Sequence, residues 1–201
     1  AVARRYFVAS LDKNAENQQR IVLRSTAARI VVHRENNQNT VFGLEGALTA
    51  PELDLLRAEP FTPTLSGLLP AKPVKTGERW TAATEAVSEL TGVDPIQTGG
   101  LNCTLADLKS SENVDVARIT FAGSVTGPSE LGPCRQTIDG HFLFDLDQEL
   151  ITHLVLNGRT EILDSKGQVD GQLEGRYEVR RHPAIDDPGL SDTALKGLNL
   201  K

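Results

Sequence analysis

The stretch GQLEGRYEVRR, Gly171–Arg181, decides the fold. Together with the residues just before it, its side chains alternate. Val169, Gly171, Leu173, Gly175, Tyr177 and Val179 fall on one side; Gln168, Asp170, Gln172, Glu174, Arg176, Glu178 and Arg180 fall on the other. A period of two marks a β-strand. One apolar and one wet face mark an antiparallel sheet. Working back towards Ile96, longer and noisier segments repeat the pattern: DVARITFAGSVTG (Asp115–Gly127), RQTIDGHFLFDLD (Arg135–Asp147) and LITHLVLNGRTEILD (Leu150–Asp164). The links between them, SSEN, GPSELGP, DQE and DSKGQ, are turn-like. Short links force antiparallel neighbours, so the sequence predicts a meander of five long strands. Glycines at 123, 140, 158, 171 and 175 are places where such a sheet can bend.

The first half of the chain reads differently. RRYFVASLD (Arg4–Asp12) and RIVLRSTAARIVVHRE (Arg20–Glu35) are extended candidates, with ENNQN (Glu35–Asn39) as a polar turn. LTAPELDLLRAEP (Leu48–Pro60) reads as a short helix, in which Thr49 and Glu52 form a capping box and Pro51 sits in the first turn. Thr81 is a candidate cap for a second helix, with Ala83, Ala86, Val87 and Leu90 on one face and Gly92 as its stop. Between the helices lies LLPAKPVKTGERW (Leu68–Trp80), which carries the chain's one tryptophan. Trp80 then falls just before a helix cap, where a large ring can staple an irregular segment to a sheet. We read it as a structural plug.

Composition limits the function. The 201 residues carry a net charge of -6, with 39% hydrophobic and 24% charged residues, and the pI is about 5.3. This is neither a disordered nor a membrane composition. Basic residues occur as doublets, Arg4-Arg5 and Arg180-Arg181, where a phosphate backbone would want a stripe; nucleic acid is not an expected partner. There is no methionine, and AVARRYF at the start lacks the layout of a signal peptide. Either a signal has been removed or the chain is a piece of a longer protein.

Chemistry-bearing motifs are scarce. His33, His141, His153 and His182 have no paired metal spacing. His141 and His153 lie on adjacent strands around DQE. A one-residue slip decides whether they share a face. As sheet-surface imidazoles they are inert; with Asp139 or Asp145 they would form an acid–base or metal pair. AGSVTG around Ser124 lacks the spacing of a nucleophile elbow. DLDQE (Asp145–Glu149) is a carboxylate-rich hairpin tip, read as a solvated turn. Cys103 and Cys134 form no CxxC motif. They are candidates for a disulfide in an exported protein or for two free buried thiols, because each lies nearer the middle strand than the other. Phe121, Phe142, Phe144 and Tyr177 take alternating positions, as core or as the lining of an apolar cavity.

The order GALTAPELDLL (Gly46–Leu56), LSGLLPAKPVKTGERW (Leu65–Trp80), ELTGVDP (Glu89–Pro95) and a β-rich half ending DGQLEGRYEVRR (Asp170–Arg181) resembles uncharacterised exported proteins of planctomycete-type bacteria. In that family an LTxxELDLL helix is followed by LLPxKxVxxGDxW and a meander. Glu78 stands where the family often has Asp. The resemblance implies the fold and export, periplasmic or extracellular, and implies no activity. It also implies that PAIDDPGLSDTALKGLNLK, from Pro183, leads into a further region.

These readings give an α+β fold: a strongly curved antiparallel sheet, half-barrel-like, with a short helical insertion at about 49–92. Residues 1–182 are expected to form a single β-rich domain and 183–201 a linker or tail. The expected role is a non-enzymatic exported binding or interaction module, part of a larger envelope or extracellular protein, with a protein partner and no cofactor, metal or transmembrane segment. The alternative is a carrier of a lipid or other apolar ligand, in a cavity lined by Trp80, Phe121, Phe142, Phe144, Leu154 and Tyr177. A third reading is a hydrolase using His141 or His153.

Overall fold

Alternation and short turns produce the expected meander. The computed structural model describes residues 2–7, 9–13, 19–35, 38–111, 114–182 and 187–191. The fold is α+β, built mostly of antiparallel sheet with two short α-helices. The chain divides into two compact units, Ala1–Pro60 with Pro183–Lys201, and Phe61–His182. This replaces the single domain over 1–182, and it separates the two expected helices. Of the expected tail, the described residues are 187–191. The buried Asp187 carboxylate accepts hydrogen bonds from Arg29 Nε at 3.1 Å, Arg5 Nη1 at 3.2 Å and the Gly189 N–H at 3.0 Å. Of the expected turn SDTALKG, all but Ser191 lies outside the described residues.

In the first unit β1 (Val2–Arg5), β4 (Arg29–Glu35) and β5 (Gln38–Gly43) form one antiparallel sheet in the order β1-β4-β5. The strands β2 (Ser10–Lys13) and β3 (Gln19–Val22) pair separately. The extended candidate Arg20–Glu35 is therefore broken, by a 3-10 turn at Ser25–Ala27. Asn36 and Asn37 of the expected ENNQN turn lie outside the described residues. Helix α1 (Ala50–Arg57) follows Thr49 as expected. Its buried Glu52 accepts the Thr49 N–H at 2.8 Å and a two-pronged Arg24 guanidinium, Nε to Oε1 and Nη2 to Oε2, each at 2.7 Å. The Arg24 guanidinium, with the Thr49 donors, holds the Glu52 carboxyl far below the usual carboxylate range. Among the described residues of this unit the buried apolar side chains are Ile21, Ala27, Ile30, Val31, Val32, Val41 and Leu56.

In the second unit β6 (Arg79–Thr81), β7 (Thr98–Ser111), β8 (Val114–Ser129), β9 (Gly132–Asp145), β10 (Leu150–Leu163) and β11 (Val169–Arg180) pair in sequence order as one six-stranded antiparallel sheet. It closes into no barrel: β6 and β11 are its edges. Helix α2 (Thr84–Thr91) starts after Ala83 and not after Thr81. The reason is strand pairing. Trp80 stands opposite Cys103, and the Ala82 N–H still donates to the Leu101 carbonyl at 3.0 Å, so the chain stays extended two residues longer than its cap signal suggests. Gly92 ends the helix in the left-handed conformation, at φ 65°. One face of the sheet, with α2 and the 3-10 segment Thr62–Leu68, buries Leu65, Leu68, Ala86, Val87, Leu101, Ile119, Phe121, Phe142 and Leu154. Trp80 packs at the rim of this core and donates its indole N–H to the Leu68 carbonyl at 2.9 Å. It lies in a strand, not before a cap, and it ties the irregular segment to the sheet.

Candidate functional site

The six side chains expected to line a cavity are brought together as one packed cluster. Phe142, Leu154 and Phe121 are buried within it, and Trp80, Phe144 and Tyr177 pack partly buried against it. The Phe121 and Phe142 rings sit 6.3 Å apart, tilted, an ordinary core contact. Cys103 and Cys134 belong to the same face and are free, so the disulfide alternative is replaced by two buried thiols. The register gives the reason. Cys103 stands opposite Phe121 on β8, and Cys134 opposite Gly127. Six residues of strand are roughly 20 Å, far beyond the roughly 7 Å that a bridge spans. Burial pushes the Cys103 thiol up to about 12, which leaves it unreactive.

The opposite face of the sheet is polar, and both histidines are on it. A bulge decides this. Ile151 pairs with Phe144, but His153 pairs with Leu143, because Thr152 is extra. Without the bulge His153 would stand beside Phe142 on the apolar face. With it, the His141 and His153 rings meet edge to face at 5.8 Å. His153 Nε2 lies 3.1 Å from Glu178 Oε1, and Glu178 also accepts from Arg176 at 2.8 Å and Arg180 at 3.2 Å. The His153 hydrogen bond, then Arg176, pulls the Glu178 carboxyl down to about 2. Partial burial lowers His141, helped by the positive charge of Arg118. Asp139 is taken by Asn157 Nδ2 at 3.0 Å, and Asp145 accepts the backbone N–H groups of Asp147 and Gln148. Neither carboxylate joins the histidines. His33 lies on β4 of the other unit, and His182 is exposed just past β11. Among the described residues no three of His, Cys, Asp and Glu converge where a metal could sit. Both cysteines face away from the histidines. The cluster is a histidine–carboxylate pair, His153 with Glu178, and Thr120 stands opposite His141 on β8.

Beside it runs an open trough of about 800 Å³, lined by Arg135, Thr137, Asp139, Asn157, Arg159 and Glu161 among others. Glu161 bridges Arg135 at 3.1 Å and Arg159 at 3.2 Å, exposed pairs that contribute little energy.

The remaining feature is the edge. β11 pairs with β10 and, among the described residues, with nothing on its outer side. The Arg181 N–H donates to the Thr152 carbonyl at 2.7 Å. Backbone direction alternates along an antiparallel strand, so odd-numbered residues of β11 bond to β10. The even-numbered ones from Gln172 to Arg180 direct N–H and C=O outward; the alternation is interrupted at Asp170, which is extra between the pairs Gly171–Ile162 and Val169–Leu163. The other edge differs: β6 is three residues long, and Gly77 and Ala82 extend its cover of β7. The apolar face of β11 was expected to be buried along its length. Only Tyr177 and Val179 pack on the core; Val169 and Leu173 are 54% and 50% exposed. The core clusters around Phe142 and Leu154, whose cross-strand partner is Val179, and the strand runs on beyond it. What the sequence reading missed is therefore backbone, not a side chain. The available signal was position: the last strand of a meander is an edge.

No family model matches the chain, and neither a curated protein nor a solved structure matches it.

Proposed function

We propose that this protein is a binding module and not a catalyst, and that it takes an extended polypeptide segment on the open edge of β11. The observation that carries this reading is the combination at one edge of five outward-facing backbone positions, Gln172 to Arg180, with the exposed side chains of Val169 and Leu173. Strand addition draws its affinity from main-chain hydrogen bonds and its selectivity from alternate side chains. Natural sheets blunt free edges with proline, lysine, bulges or shortness. β11 is twelve residues long and carries neither proline nor lysine. Its one irregularity against β10 is the extra residue Asp170 near its start, and Gln172 to Arg180 run on without a bulge.

The test is an array of extended peptides probed with the wild-type protein and with Gln172→Pro. Gln172 directs its N–H outward, so proline there blocks strand addition without removing a bond to β10. The wild type is expected to retain peptides with alternating apolar residues, and the variant to lose them. Equal retention by both, or by neither, contradicts the reading.

A further inference from the structure

We infer that the segment received by β11 is β11 of a second copy, paired antiparallel about a two-fold axis centred on Gly175. This rests on the edge reading above and supplies its partner.

The strand's own chemistry selects the partner. Asp170 and Glu174 make its first half acidic, and in its second half Arg176 and Arg180 outweigh Glu178. Antiparallel pairing with an identical strand lays the acidic half of each copy against the basic half of the other. A two-fold interface demands this self-complementarity. Hydrogen bonding restricts the registers further. Only even-numbered residues present outward N–H and C=O groups, so an even residue must face an even one, and the two-fold must centre on a residue. Centred on Gly175, Glu174 faces Arg176 of the second copy and Gln172 faces its Glu178. Each of these pairs occurs twice. Centred one residue away, on Glu174 or Arg176, like charges face each other at the axis, which destabilises a cross-strand pair. Centred two away, on Leu173 or Tyr177, opposite charges still meet, but Leu173 no longer faces Tyr177.

The apolar face agrees. In the Gly175 register the half-exposed Leu173 meets Tyr177 of the second copy, and Gly171 meets its Val179. Leu173 thereby gains the aromatic neighbour that it lacks on its own sheet, where it faces Thr160. The centre is a pair outside the hydrogen-bonded set, the closer type of antiparallel pair, and two glycines stand there. A side chain at 175 would meet nothing within 4 Å in the single chain. The contacts of Glu178 with Arg176 and Arg180 are surface pairs on one strand, weak enough to rearrange. The product is one continuous twelve-stranded sheet with its polar faces on one side.

Sedimentation velocity over a concentration series tests this with wild type, Arg176→Glu and Glu174→Arg. The wild type is expected to dimerise. Each variant places like charges opposite each other twice, and is expected to need about tenfold higher concentration. An equimolar mixture of the two variants restores both pairs and is expected to dimerise like wild type. In addition, Gly175→Cys is expected to give a covalent dimer on mild oxidation, because a central non-bonded pair lies within disulfide reach. A wild type that stays monomeric at high micromolar concentration, variants that dimerise like wild type, or an uncrosslinked Gly175→Cys each overturn the proposal. The peptide array separates the two failures. Peptides lost only by Gln172→Pro, with a monomeric wild type, leave the edge reading standing and remove the second copy. No retention and no dimer remove both.

Discussion

The Arg181 amide donates to the Thr152 carbonyl at 2.7 Å, and that one bond fixes the direction of every backbone group on β11. Alternation carries the direction back along the strand, so that the amides of Leu173, Gly175, Tyr177 and Val179 point into the sheet and those of Gln172, Glu174, Arg176 and Glu178 point away. The charged side chains of the strand thus belong to the residues whose backbone is unpartnered on the sheet's outer side. From Gln172 to Arg180, outward backbone groups and polar side chains sit on the same five residues.

Gly140 is fixed by close approach. A methyl there would overlap the Val155 carbonyl oxygen and lie 2.7 Å from Phe121 Cζ, because Phe121 stands opposite it across the strands. Gly140→Ala is expected to destabilise the second unit by about 3 kcal/mol, read as a lowered urea midpoint in tryptophan fluorescence. Gly175→Ala, with open space around it, is expected to leave that midpoint in place. Equal effects of the two would contradict this packing.

Trp80 holds the 3-10 segment by its ring and by one hydrogen bond. Trp80→Phe keeps most of the ring and loses the bond, at about 1 kcal/mol. Trp80→Ala also empties the rim of the core, at about 3 kcal/mol. Denaturation followed by far-UV circular dichroism checks the order. If phenylalanine costs as much as alanine, the hydrogen bond and not the ring is the anchor.

In the first unit Glu52 joins helix α1 to Arg24. Glu52→Ala is expected to cost about 2 kcal/mol, since it removes the cap and leaves the guanidinium to solvent. Thr49→Ala, which keeps the Arg24 pair, should cost less than Glu52→Ala. The same denaturation measurement decides, and a neutral Glu52→Ala would exclude a structural role for the pair.

His141 gives the protein a pH dependence of known sign. Burial, then Arg118, His153 and Arg176, hold its pKa below the ordinary 6.5, against the opposing pull of Glu178. The unfolded chain therefore takes up the proton first. The contribution to stability is complete above 6.5 and is lost as pH falls from there towards the folded value. Glu178, drawn down to about 2 from 4.5, acts lower: its contribution is complete above 4.5 and disappears only as pH falls through the acid range below it. From just above pH 7 to about pH 5, wild type should lose stability that His141→Gln keeps. Parallel losses in the two proteins would mean that His141 is not the titrating group.

How much of this was legible in the sequence depends on the range of the interaction. The meander, the Thr49–Glu52 cap and the Gly92 stop follow from residues a few positions apart, and all are present. The start of α2 was misplaced because the cap signal at Thr81 is local, while the pairing of Trp80 with Cys103 is not. The facing of His153 hung on one extra residue, Thr152, which no pattern marks. Alternation in β11 named its apolar face but could not tell whether anything lay over it. The grouping of the tail with the first unit depends on Asp187 meeting Arg29, 158 residues earlier in the chain.

The open edge of β11 is tested most directly by residue-resolved amide hydrogen exchange on dilute protein. The account expects alternation: slow exchange at Leu173, Gly175, Tyr177 and Val179, and fast exchange at Gln172, Glu174, Arg176 and Glu178. Uniform protection along the strand in dilute solution would mean that the chain already covers this edge, and would contradict it.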